Sequence, residues 1–283
     1  MARPYRSVLY IPASRERAME KARDLAADAI IFDLEDAVVP SEKEESRDLL
    51  AKALREDYGP RMRIVRMNGL DTEWGEDDAR AFARRLAPNA DALLVPKVER
   101  AEDLDRVAAL VPDTPLWAMM ETPVGILNVN SIAGHPRLQG MVIGTNDLAK
   151  ELGSRYRPDR LPMMTGLGLC LLAARAHGKV IVDGVFNAFK DDAGLRAECE
   201  QGRDMGFDGK TLIHPAQLAI ANQAFAPTED EISLAHRQIE AFDAAQRNGQ
   251  GVAVVDGRIV ENLHVATARQ TLSRALAIAR LAG

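Results

Sequence analysis

Between residues 7 and 214 the chain repeats one rhythm eight times: a short run rich in Val, Ile and Leu, then a segment with apolar residues at helical spacing. The strand-like runs fall at 7–11, 29–32, 63–66, 92–95, 116–120, around Val142, at 180–182 and at 210–213. Helical patterns stand out at 15–25, 43–57, 76–86, 102–110, 164–177 and 194–205, with Ser14 the candidate cap of the first. Strands that alternate with helices pair in parallel, because each connection crosses back over the sheet. Eight such units favour an α/β fold of the (β/α)8 barrel type over an open doubly wound sheet. The 283 residues, 47% of them apolar, would fill one large barrel or two modest domains, so length does not choose between the two and the rhythm does.

Past His214 the rhythm breaks. Two long polar helical stretches flank Val252-Ala-Val-Val-Asp-Gly-Arg-Ile-Val260, in which Asp256-Gly257 is a two-residue hairpin signal. The second strand of this hairpin delivers Glu261 to the start of an amphipathic last helix. There is no internal repeat, low-complexity tract or Pro/Gly linker. The expected organisation is a barrel over 1–225 and a hairpin and helical extension over 226–283, packing on the barrel or on a neighbouring subunit.

A net charge of −6 and a pI near 5.5 argue against a nucleic-acid partner, which calls for a dominant basic face. No apolar run approaches the roughly 18 residues that span a bilayer, and the first residues lack the apolar stretch of a secretion signal, so no membrane is expected and a cytoplasmic protein is. Cys170 and Cys199 show no Cys-x-x-Cys spacing and read as free thiols.

In such a barrel the active site forms at the carboxyl ends of the strands. The polar residues found there are Asp33-Leu-Glu-Asp36, Arg66-Met-Asn-Gly69, Pro96-Lys97, Glu121-Thr-Pro123, Gly144-Thr-Asn-Asp147 and Asp183. Parallel strands bring their ends to one rim, so Glu121 and Asp147 can meet around a hard cation. Mg²⁺ takes one or two protein carboxylates and leaves its other positions to water and substrate. Arg66 shares a strand face with Ile64; if Ile64 points to the core, the Arg66 fork points into the mouth, where it suits a carboxylate. The backbone N–H groups of Gly144, Thr145 and Asn146 could bind a carboxylate oxygen where Asp147 opens a helix. For Asp33 and Asp183 a plain role as helix cap or ion-pair partner stands level with a functional one. A Lys such as Lys97 after a strand ordinarily reaches solvent, and His135, His177 and His214 take no assigned role.

The runs Arg6-Ser-Val-Leu-Tyr-Ile-Pro12, Ile31-Phe-Asp-Leu-Glu-Asp-Ala-Val38, Glu121-Thr-Pro-Val-Gly-Ile126, Gly144-Thr-Asn-Asp-Leu148 and Gly206-Phe-Asp-Gly-Lys-Thr-Leu-Ile-His-Pro215 resemble, in order, the citrate lyase β-subunit-like family of acyl-CoA lyases. This family belongs to the HpcH/HpaI aldolase superfamily and includes malyl-CoA, β-methylmalyl-CoA and citramalyl-CoA lyases. The resemblance implies a TIM barrel, Mg²⁺, a CoA thioester and a 2-oxo acid as substrates, and a homotrimer or hexamer. Glu121 and Asp147 fall on the metal ligands, and Arg66 on the Arg that holds the oxo acid. Glu35 and Asp36 fall where they would orient that Arg or metal-bound water. Tyr10, Pro12 and Lys21 fall where the first strand and helix approach CoA. Glu261 stands where several relatives carry an Asp supplied to a neighbouring subunit as an acid/base. The expected activity is a Mg²⁺-dependent carbon-carbon lyase splitting a 3-hydroxyacyl-CoA into an acyl-CoA and a 2-oxo acid. The alternatives are a citrate lyase β-type subunit using an acyl-carrier-protein thioester, a malyl-CoA thioesterase, and a barrel that binds these compounds without catalysis.

Overall fold

The computed structural model describes residues 3–282. Residues 5–224 form one compact unit and residues 225–282, with residues 3 and 4, another.

The first unit is a closed barrel of eight parallel strands in sequence order. They are β1 (Ser7–Pro12), β2 (Ala29–Asp33), β3 (Met62–Arg66), β4 (Ala92–Val95), β5 (Leu116–Met120), β6 (Leu138–Ile143), β7 (Val180–Asp183) and β8 (Gly209–Leu212), with β8 closing onto β1. The helices of this unit are α1 (Glu16–Ala22), α2 (Lys43–Ala53), α3 (Gly75–Ala81), α4 (Ala101–Leu110), α5 (Pro123–Leu127), α6 (Val129–Ala133), α7 (Thr145–Glu151), α8 (Met164–Ala176), α9 (Asp192–Met205) and α10 (Leu218–Ala224). The (β/α)8 expectation holds.

Alternation along the strands decides where the chemistry sits. Val8, Ile31, Ile64, Trp117, Val142 and Val182 lie in one buried cluster that fills the barrel. Two residues further along the same strand faces stand Tyr10, Asp33, Arg66 and Gly144, and two past the clustered Met119 stands Glu121. The polar residues of the mouth therefore continue the inward-facing rows of the core.

Local details differ from the sequence reading. Ser14 does not cap α1: a turn closed by the Arg15 N–H donating to the Pro12 carbonyl (3.1 Å) starts the helix one residue later. The Ser14 hydroxyl is left buried and without a hydrogen bond. The helix expected over 43–57 stops at Ala53, ahead of the turn at Gly59, whose φ is +59°. The pattern over 76–86 is an α-helix that widens into a π turn over Phe82–Leu86.

The second unit contains α11 (Glu229–Arg247), the hairpin β9 (Ala253–Val255) and β10 (Arg258–Val260), and α12 (Asn262–Ala282). Thr228 and Glu231 close a capping box at the start of α11. The hairpin turns through Asp256 and Gly257 at φ 51° and 73°, the left-handed pair that an Asp-Gly turn supplies. Phe242, Ala245, Ala253, Val260 and Val265 form its core. Among the described residues no helix is long and apolar enough to cross a membrane.

Candidate active site

The β2–β3 register sets Asp33 beside Arg66, and their side chains meet as a fork on a carboxylate. Arg66 Nε donates to Asp33 Oδ1 (2.7 Å) and Nη2 to Oδ2 (2.6 Å). The same carboxylate accepts the N–H groups of Glu35 (2.9 Å) and Ala37 (3.1 Å) and so folds the acidic turn over the strand end. Arg66 is 6% exposed and its guanidinium lies over the Tyr10 ring, 5.0 Å from the centroid. Burial opposes its charge, but the neighbouring Asp33, reinforced by its hydrogen bonds, holds the group well above its ordinary pKa. Burial pushes the Tyr10 phenol up.

The remaining nitrogen, Nη1, faces the mouth. It lies 2.6 Å from Glu35 Oε2, 3.6 Å from Asp36 Oδ2 and 3.6 Å from Met119 Sδ. Glu35 is 9% exposed. Its Oε2 touches Arg66 yet makes no well-aligned hydrogen bond. Burial lifts the Glu35 carboxyl to about 8; Arg66 pulls the other way, while Asp36, Glu121 and Asp33 add to the rise.

At the end of β5, Glu121 is 1% exposed and its Oε1 accepts the Lys97 N–H at 2.8 Å. Lys97 adopts φ 49°, unusual for a non-glycine residue, so the backbone after β4 is turned over where its amide meets this acid. Burial raises Glu121 to about 7, the Lys97 amide and Arg66 oppose the rise, and the charge of Asp147 adds to it. A Cβ at Gly144 would come within 2.4 Å of Glu121 Oε2, so the Glu121 carboxylate occupies space that only glycine leaves. Asp147, in the first turn of α7, lines a cleft of about 340 Å³ together with Lys97, Thr122, Gly69 and Lys150.

The donor set fits Mg²⁺. Two carboxylates offer hard oxygens, and one of them is buried at an electrostatic cost that a cation would relieve. Among the described residues no cluster of three or more acidic, His or Cys groups gathers as for an all-protein cage, and Mg²⁺ does not need one.

The other expected residues are more scattered. Thr145 is buried and Asn146 exposed, its side chain bonded to Asn187. Asp36 is exposed, Pro12 half-buried and Lys21 exposed in the last turn of α1. Tyr10 sits beneath Arg66 in the barrel mouth, with its hydroxyl 3.9 Å from Met119 Sδ. Glu261 is exposed in the second unit, its backbone N–H donating to His264 Nδ1 at 3.0 Å.

Two networks escaped the sequence reading. Asp183 binds Arg160 Nη1 through both oxygens (2.8 and 2.7 Å) and Lys210 Nζ through one (3.2 Å); Lys210 also reaches Glu198 (2.6 Å). The signal was a lysine within the last strand of the barrel, Gly209–Leu212, since a charge buried there must find a partner. The second network, around Lys43, carried no signal: Lys43 reads as an ordinary surface residue opening a helix.

The HpcH/HpaI aldolase/citrate lyase family profile matches residues 6–215. A (3S)-malyl-CoA thioesterase of Cereibacter sphaeroides is 72% identical over 279 residues, covering 98% of this chain and 97% of that protein. An L-malyl-CoA/beta-methylmalyl-CoA lyase of the same organism is 34% identical, covering 92% of this chain and 91% of its own. Among solved structures, CitE from Mycobacterium tuberculosis in complex with magnesium, acetoacetate and coenzyme A superposes with a TM-score of 0.80 at 29% identity, over 97% of this chain and 98% of that one. These relatives overturn the expected carbon-carbon lyase. The similarity at 72% is to a hydrolase of the thioester bond, and a relative named as a lyase stands at less than half that identity.

Proposed function

This chain belongs to the HpcH/HpaI aldolase/citrate lyase family, and we propose that within it the chain is a hydrolase of malyl-type CoA thioesters, releasing free CoA and the hydroxy acid. The observation that carries this reading is the 72% identity to the (3S)-malyl-CoA thioesterase, which runs along 98% of the chain. The mouth of the barrel suits the chemistry.

The substrate's free carboxylate goes to Arg66. Asp33 takes two of the three guanidinium nitrogens and fixes the plane of the fork, which leaves Nη1 to bind the acid. Glu35, beside that nitrogen, accepts the proton of the attacking water. A carboxyl lifted to about 8 is a far stronger base once ionised than an ordinary one. Water adds to the thioester carbonyl, the bond to sulfur breaks, and the thiolate leaves to be protonated as CoA-SH. Glu121 and Asp147 would hold Mg²⁺, which supplies Lewis-acid stabilisation of negative oxygen when bound. The turned-over Lys97 amide keeps Glu121 in place through its 2.8 Å hydrogen bond. Pro12 and Lys21, at the end of β1 and on α1, are the proposed approach for CoA.

The test is product identity. Given (3S)-malyl-CoA and Mg²⁺, the enzyme releases free thiol and malate in equal amounts without glyoxylate. Stoichiometric acetyl-CoA and glyoxylate, with no free thiol, would refute the hydrolase reading.

A further inference from the structure

Lys43 opens α2, is 5% exposed, and spends all three ammonium N–H groups on uncharged acceptors. Nζ donates to the carbonyls of Leu34 (2.8 Å) and Glu35 (2.6 Å) and to Asn68 Oδ1 (2.7 Å). The Trp74 ring covers it, 5.1 Å away. A buried cation without a carboxylate in contact is costly, and burial depresses its pKa. A methionine would fill the same space without that cost, so packing alone does not account for the ammonium.

Its acceptors suggest what it does. The Leu34 and Glu35 carbonyls belong to the two peptide planes that flank the Glu35 Cα. Fixing both planes on one point sets φ and ψ at Glu35 and hence the direction of its side chain. From the other side Asp33 pins the N–H groups of Glu35 and Ala37. The third acceptor, Asn68, lies two residues past Arg66, and its Nδ2 donates to the Leu34 carbonyl (2.9 Å) and to Asp78 Oδ2 (2.6 Å). Asp78 in turn accepts Arg47 Nε at 2.6 Å. The segment that carries Arg66 and the turn that carries Glu35 are thus tied to one ammonium, backed by α2 and α3.

We propose that Lys43 is a positioning residue for the hydrolysis, holding the Glu35 carboxyl against Arg66 by fixing the peptide planes on both sides of Glu35. The proposal rests on the reading of Glu35 as proton acceptor. A misplacement of about 1 Å in a reacting group can cost on the order of 100-fold, so Lys43→Met should lower kcat by about 10- to 100-fold while KM moves less than about threefold.

The decisive experiment is a cycle with Glu35→Gln, assayed as thiol release from (3S)-malyl-CoA. If Lys43 acts through Glu35, Lys43→Met costs less than about twofold once Glu35 is Gln. A merely structural role lowers the active fraction equally in both backgrounds, so additive losses overturn the proposal. Amide exchange supplies a readout independent of turnover. The Glu35 and Ala37 amides should exchange at least about tenfold faster in Lys43→Met, with those of α11 unchanged, and unaltered exchange at the turn overturns the proposal even if the parent hydrolyses nothing. Parent inactivity on the thioester counts against the hydrolase reading alone. Where Lys43→Met does not fold, Lys43→Arg replaces it in both measurements. Its planar fork cannot meet the same three acceptors, and a kcat within twofold of the parent or unchanged exchange at the turn again overturns the role.

Discussion

Glu35→Gln should make the metal-free protein more stable at pH 8 than its parent. In the fold the Glu35 carboxyl is raised from its ordinary 4.5 to about 8. A carboxyl whose folded value lies above its unfolded one contributes stability that is complete below about 4.5 and is lost as pH rises through about 8, because the fold must then carry a buried charge. At about 1.36 kcal/mol per pH unit, that loss is on the order of 4 kcal/mol at pH 8 for a group only 9% exposed. Glutamine has nearly the same shape and no proton to lose. The difference in unfolding free energy, variant minus parent, should therefore grow from pH 4.5 to pH 8 and level off above it. Urea unfolding of both proteins from pH 4 to pH 9 with excess chelator measures it directly. The opposite slope, with the variant losing ground as pH rises, would mean that Glu35 is ionised and stabilised by Arg66, which would remove the basis for its role as a base. Turnover supplies the counterpart: the same substitution should abolish the rise of kcat with pH on the acidic limb.

Three further outcomes follow from the geometry. Gly144→Ala places a methyl within 2.4 Å of Glu121 Oε2 and should weaken Mg²⁺ binding at least about tenfold by calorimetry, so an unchanged affinity would separate Glu121 from the metal. Lys210→Met removes a fully buried partner of Asp183 and Glu198 and should cost about 3–5 kcal/mol of stability in chemical unfolding, and a loss below about 1 kcal/mol would show that these acids find other partners. Glu261→Gln should lower kcat with KM unchanged if that exposed side chain carries a proton in the reaction; a parent-like kcat removes it from the chemistry.

The barrel was legible because its signal is repetitive: eight apolar runs, each buried, leave few other ways to pair. The placement of Arg66 was legible for a related reason. Two-residue alternation from Ile64 puts it on the inward face, and the β2–β3 register supplies Asp33 as its partner. What alternation cannot convey is the use of backbone groups. That the Lys97 amide supports Glu121, or that Lys43 binds two consecutive carbonyls, depends on loop conformations, and the residue types alone do not encode them. Lys210 at least stands out as a lysine in a barrel strand, whereas nothing in the residue type of Lys43 tells that it binds carbonyls rather than acids.

The mistaken reaction has the same origin. On the proposed roles, the motifs carry Arg66 with Asp33 for the acid end of the substrate and Glu121 with Asp147 for a cation, and both reactions would start by gripping that end. Carbon-carbon cleavage and thioester hydrolysis diverge only afterwards. The first needs a proton managed at the carbon next to the thioester, the second a water beside the thioester carbonyl and a base to take its proton. A difference of that kind would lie in where one buried carboxyl points and in how strongly it takes up a proton. The proposed carboxyl is Glu35, placed by a turn whose carbonyls close onto Lys43 and whose amides close onto Asp33. The motif Asp33-Leu-Glu-Asp36 could therefore stay the same while the fate of the bond changes. Substitutions at Lys43 and Asn68, outside every motif that reveals the family, should shift the rate of hydrolysis more than they shift the affinity for the acid.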